Sequence, residues 1–139
     1  MLPRRPLFLK LIQFGDRLAI SKVLKTSDFD YRNRMDVSYR ELLYCGSIVS
    51  DHLERNIMDQ DGKKSNNDRV AILAPRDFHY PSYLLGTWIS KFSVVPLYEK
   101  HPLEETKYYI ENSDAKAVLC HPFYLSFLDP VCKIGRAHV

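Results

Sequence analysis

Residues 92–102 read Phe92-Ser93-Val94-Val95-Pro96-Leu97-Tyr98-Glu99-Lys100-His101-Pro102, and the order of chemistry along that run decides the fold. Ser93-Val94-Val95 is a short β-branched climb that favours a buried strand. Pro96 lacks an N–H, so the strand ends near it or leaves a ladder position unpaired. A charged turn follows. Pro102 then presets φ for a helix, and Glu104 and Glu105 stand near the positive end of its dipole. Strand, turn and helix start in this order describe one arm of a parallel crossover.

The run just upstream has the same grammar. Arg69-Val70-Ala71-Ile72-Leu73-Ala74 is continuously apolar after its first residue, as a strand covered on both faces requires. Pro75 ends it. Asp77 is placed to cap a helix over residues 78–90, with Pro81 in its first turn, where a missing N–H costs nothing. No glycine ends that helix. Lys91 therefore has to make the left-handed turn itself, at roughly 1 kcal/mol relative to glycine.

Downstream, residues 102–112 carry Leu103, Thr106, Lys107 and Ile110 at helical spacing, and Ser113-Asp114 breaks the pattern. Ala115-Lys116-Ala117-Val118-Leu119-Cys120 is a third strand, and residues 122–128 a short helix that Asp129-Pro130 is expected to stop. Nearer the start, residues 6–13 form a short leading helix. Residues 16–23 and 35–37 are two strands of a hairpin with a long polar loop. Ser38-Tyr39-Arg40-Glu41 fits a capping box. It opens a helix to about Asn56, whose Leu42, Gly46, Val49 and Leu53 form one stripe. Residues 59–68 are a polar loop turning at Gly62. The fold class is α/β: a layered parallel β-α-β-α-β subdomain preceded by a β-hairpin.

With 139 residues the chain holds one modest core, and 45% hydrophobic with 27% charged residues is ordinary globular composition. A net charge of +3 gives no stripe for tracking phosphates. Arg4-Arg5 and Lys63-Lys64 are solvated pairs, so no nucleic acid is expected. No apolar run reaches the ~18–20 residues of a membrane span. Cys45, Cys120 and Cys132 are an odd set without framework spacing, which suggests reduced thiols inside a cell. The start, Met1-Leu2-Pro3-Arg4-Arg5, is basic, with no acid before Asp16. The last six residues, Ile134-Gly135-Arg136-Ala137-His138-Val139, continue no hydrophobic period from Phe127 and Leu128. They are expected to be a non-native tail that packs against nothing, after a domain portion spanning residues 1–133.

Catalytic chemistry is hard to write from these residues. Gly15, Gly46, Gly62, Gly86 and Gly135 are too scattered for a phosphate-cradling loop. The histidines His52, His79, His101, His121 and His138 form no zinc spacing with the cysteines. Cys120-His121, if both lie on a strand, point to opposite faces and make a poor nucleophile–base pair. Lys100-His101 reads as a solvated turn before the next helix. Trp88 and the tyrosines read as packing. No catalytic, cofactor-binding or metal-binding residue is assigned.

The organising run also carries a resemblance. Val95-Pro96-Leu97-Tyr98-Glu99-Lys100-His101-Pro102, with Trp88-Ile89-Ser90 upstream, is similar to the second shared motif of the adenylate-forming acyl-CoA synthetases. Within them it most resembles the malonyl-CoA and methylmalonyl-CoA synthetase branch. Val37-Ser38-Tyr39-Arg40-Glu41-Leu42-Leu43 resembles the first shared motif, and Phe14-Gly15-Asp16-Arg17-Leu18-Ala19-Ile20 the opening strand. The resemblance spans roughly residues 6–133 and implies the N-terminal part of an AMP-binding ligase domain. It implies a carboxylate–CoA ligase that uses ATP, CoA and Mg²⁺ on a small carboxylic acid, malonate or methylmalonate. The phosphate loop and C-terminal domain of that family lie beyond these residues. The chain is thus expected to be an incomplete domain, to bind none of those cofactors and to be inactive alone. A medium- or long-chain fatty acyl-CoA synthetase portion, or a non-catalytic α/β module, are the alternatives. By the same resemblance a mitochondrial location is favoured over the cytoplasm.

Overall fold

In the computed structural model, residues 5–23, 34–57, 68–132 and 137–138 are described. The elements are α1 (Pro6–Phe14), β1 (Leu18–Val23), β2 (Arg34–Ser38), α2 (Tyr39–Asn56), β3 (Arg69–Leu73), α3 (His79–Ile89) and β4 (Ser93–Pro96). Then come α4 (Leu103–Asn112), β5 (Ala117–Cys120), a 3-10 turn (Pro122–Tyr124), α5 (Leu125–Cys132) and β6 (Ala137–His138). The tip of the β1–β2 hairpin, the turn assigned to Gly62 and residues 134–136 lie outside the described residues. No described helix is long and apolar enough to cross a membrane.

β1 and β2 pair antiparallel, with a register shift between Leu18 and Ile20. β4, β3 and β5 form a parallel sheet in that order, Val70 pairing with Val94 on one side and Ala117 on the other. Alternation along β3 sends Val70 and Ile72 to one face, with Leu53, Phe92 and Leu119. Ala71 and Leu73 go to the other, with Leu97, Ile110, Val118 and Leu128. A third apolar cluster joins Phe8 and Leu11 of α1 to Val37, Leu42 and Leu85, with Ile20 and Trp88 packed against it. The α2–α3 layer thus lies between the sheet and an N-terminal lobe.

Local chemistry explains the element ends. Both halves of the capping box are made: Glu41 N–H donates to Ser38 Oγ at 3.1 Å, and Ser38 N–H to Glu41 Oε1 at 3.4 Å. Lys91 does take the left-handed turn, at φ 64°. Its N–H donates to the Trp88 carbonyl, and the Phe92 N–H to that of Thr87, the paired bonds of a Schellman terminator. The same device closes α4, which the sequence reading had only as a break. Asp114 sits at φ 53°, while Asp114 and Ala115 donate to the carbonyls of Glu111 and Ile110.

Three expectations are corrected. Val94 and Val95, expected to be buried, are half-buried, because β4 stands at the end of the strand order and, among the described residues, pairs with a strand on one side only. α5 runs through Asp129 and Pro130 to Cys132. A residue before proline is biased away from helical ψ but not barred from it. The final residues were expected to pack against nothing specific, yet Ala137 and His138 pair in parallel with Ala117 and Val118 of β5.

Candidate functional site at the carboxyl ends of the parallel strands

Because β3, β4 and β5 run in one direction, their following loops open on a single edge. The chain leaves β3 for β4 on one side and returns to β5 on the other. The turns after β3 and β5 therefore diverge, which is where open α/β sheets place their ligands. A cleft of about 550 Å³ lies there against Ala74, Arg76, Asp77, Tyr80, Tyr98 and Glu99, within the size range of small-molecule sites.

Asp77 is the centre of its polar chemistry. Its side chain is only 7% exposed, and Oδ2 meets Lys22 Nζ of β1 at 2.9 Å. Oδ1 accepts the His79 backbone N–H at 2.8 Å and lies 2.7 Å from His79 Nδ1. Burial pushes the carboxyl up, but the His79 N–H, Lys22 and the His79 ring outweigh it and hold the pKa at about 2. With the carboxylate ionised, His79 carries its proton on Nδ1.

His79 stacks on Phe78 and stands edge-on to His121, the two imidazole centroids 4.6 Å apart. His121 Nδ1 accepts the Phe123 N–H at 3.1 Å and so caps the 3-10 turn. Burial, then the neighbouring His79, lower the His121 pKa, against a smaller upward pull from Asp77. On the far side of that turn the Tyr124 hydroxyl donates to Glu99. That bond, more than burial, pushes the phenol up to about 12. Tyr83, under the cluster, is raised by burial first and then by Cys120 and Asp77. Arg76 lies over the Tyr98 ring at 4.8 Å.

A nucleotide phosphate is a poor match to these turns. A helix start holds a phosphate with its free N–H groups and positive dipole end, and here side chains of the chain itself already stand at those starts. Asp77 takes the first N–H of α3, Glu104 and Glu105 occupy the first turn of α4, and His121 takes the N–H of Phe123. Nor does any group of three His, Cys, Asp or Glu side chains among the described residues suit a metal ion.

The sequence reading assigned no site residue, and the cluster shows why. Asp77 was legible as a cap, but the pairing of His79 with His121 needs the β5 return to β3. The one signal available was that both histidines follow the ends of strands in a parallel series. Cys120 and His121 form no nucleophile–base pair: Cys120 Sγ is turned to the His121 carbonyl, and the His121 ring to Phe123. His101 is not a freely solvated turn residue. It is half-buried, with the rings of Tyr98 and Tyr109 at 5.2 and 5.5 Å.

No protein-family profile matches the chain. It is 31% identical over 128 residues to the mitochondrial malonate–CoA ligase ACSF3 of Homo sapiens, a match covering 92% of this chain and 20% of the relative. It superposes on apo MatB from Rhodopseudomonas palustris with a TM-score of 0.69 at 23% identity, over 95% of this chain and 24% of that one. The ATP-bound form of that MatB gives 0.66 at 22% identity, with the same coverage. The chain spans about a fifth of the length of the curated relative it matches.

Proposed function

We propose, on the premise that this chain belongs with the adenylate-forming acyl-CoA synthetases as a relative of the N-terminal part of their malonyl-CoA branch, that it serves a carboxylate–CoA ligase. In that chemistry a carboxylate attacks the α-phosphorus of ATP, giving an acyl-adenylate and pyrophosphate. The CoA thiol then displaces AMP to leave a thioester. Mg²⁺ would offset phosphate charge in the first step. Malonate or methylmalonate is the acid we favour, and a mitochondrial setting follows the name of the human relative. The observation that carries the reading is the 31% identity extending over nearly the whole chain.

The role of these residues is to build and brace the layered α/β wall, not to supply the reacting groups. At the carboxyl edge Asp77 and His121 accept the leading N–H groups of α3 and the 3-10 turn, and Glu104 and Glu105 place negative charge at the start of α4. The 139-residue chain alone is accordingly expected to release no pyrophosphate from Mg·ATP with malonate and CoA. Release above a no-protein control that survives further purification would overturn this.

The ligase assignment itself is tested by grafting. This chain replaces the corresponding first fifth of a malonate–CoA ligase, and malonyl-CoA formation is followed against methylmalonate and octanoate. Thioester formation on malonate or methylmalonate supports the reading. A folded, soluble chimera that makes thioester only from octanoate, or none at all, rejects it.

A further inference from the structure

The His79–His121 pair is more than packing, because its two imidazoles hold different elements. His79 belongs to the start of α3 and is tied through Asp77 to Lys22 of β1. His121 ends the β5 segment and caps the 3-10 turn by accepting the Phe123 N–H. An imidazole accepts at Nδ1 only while that nitrogen is unprotonated. His121 in this structure is therefore the neutral tautomer with its proton on Nε2.

We propose that this pair is a pH-operated latch between the β3–α3 turn and the β5–3-10 turn. A proton arriving from solvent at His121 Nδ1 removes the acceptor of the Phe123 N–H. It also makes His121 a cation, 4.6 Å from the ring of His79. Both changes act in one direction: the cap is lost and the start of the 3-10 turn separates from α3. Phe123 is already 76% exposed, and its ring contact is with Tyr124 in the same turn, centroids 5.1 Å apart, so it does not hold the turn to α3. The opening is local, because the Tyr124–Glu99 bond still holds the other end of the turn to the β4–α4 segment.

The surrounding charges set the direction. Burial and His79 oppose a proton on His121, and Asp77 favours it. Asp77, however, is already engaged by Lys22 and His79, and Glu99 by Tyr124. Of the other neighbours, Tyr83 is raised by burial and Cys120 is buried with its Sγ turned to the His121 carbonyl. The sign is that of a histidine with a lowered folded pKa. The closed latch contributes fully above the unfolded value of about 6.5. Its contribution falls as pH drops from there through the lower folded value. This inference does not depend on the ligase reading.

The experiment uses the whole chain with ring-¹⁵N histidine, followed by NMR from pH 8 to 5, together with hydrogen exchange at the Phe123 amide. At pH 7.5 His121 should be the Nε2–H tautomer and the Phe123 amide protected. Protection, corrected for intrinsic exchange, should fall by about tenfold per pH unit once His121 titrates. His121→Asn keeps a capping oxygen without a titrating proton and should hold protection flat across that range. His79→Gln should move the His121 midpoint upward. The latch is refuted if the Phe123 amide is unprotected at pH 7.5, if protection falls equally in His121→Asn, or if His79→Gln leaves the His121 midpoint in place.

Discussion

A lysine at φ 64° is a residue holding a conformation that suits glycine better. Lys91→Gly should therefore raise stability by about 1 kcal/mol, read as a higher denaturant midpoint at unchanged m-value. Asp114→Gly should gain less, since aspartate tolerates the left-handed region better than lysine. Asp77 gives the acid limb. Its pKa drops from the ordinary 3.8 to about 2 on folding, so its contribution is whole above 3.8 and lost as pH falls toward 2. A shift of that size is worth about 2 kcal/mol. Asp77→Asn should flatten stability between pH 4 and 2, and an unchanged acid limb would count against the Lys22–Asp77–His79 account. The sequence shows one of these residues fully and the other in part. Lys91 is legible because the chain must turn there without glycine. Asp77 is legible only as a cap, because Lys22 lies 55 positions away and no local pattern joins them.

Elements expose a different limit. Gly46 lies in the stripe legible in sequence and Gly86 within the second helix, and in the fold both stand where α2 and α3 cross. A Cβ on Gly86 would lie 2.5 Å from Val49 Cβ and 2.8 Å from the Gly46 carbonyl oxygen. The backbone oxygen cannot rotate away. Beside the crossing the Ser50 and Ser90 hydroxyls, both buried, share a 2.5 Å hydrogen bond that fixes the spacing of α2 and the end of α3. Gly86→Ala should cost about 2–3 kcal/mol by overpacking. Gly46→Ala, whose nearest neighbour is the Leu85 Cβ at 3.0 Å, should cost less. Equal stabilities for the two variants, by thermal and chemical denaturation, would contradict this geometry. The stripe of α2 and the strand–helix alternation were readable because burial repeats with the helical or strand period. The half-burial of Val94 and Val95 was not, since apolar composition is the same for a central strand and for one at the end of the order.

Across the whole molecule, the three apolar clusters are joined in series. α2 and α3 contribute to both the sheet-side cluster and the N-terminal one, through Leu53 with Tyr83 and Leu84 on one side and Leu42 with Leu85 on the other. α1 and the β1–β2 pair meet the rest chiefly through the N-terminal cluster, with Lys22 on Asp77 as a polar tie. Local opening free energies differ where burial is divided in this way. Phe8 is 1% exposed at the centre of that cluster, and Phe8→Ala should cost about 3–5 kcal/mol locally. The loss should appear as faster amide exchange in Leu18–Val23 and Arg34–Ser38. Val70, Ala71 and Ile72, held by β4 and β5 on both sides, should keep their protection. If those central amides lose protection together with the hairpin, the lobe and the sheet form one cooperative unit. The carboxyl-edge crevice would then depend on α1 as much as on the strands that frame it.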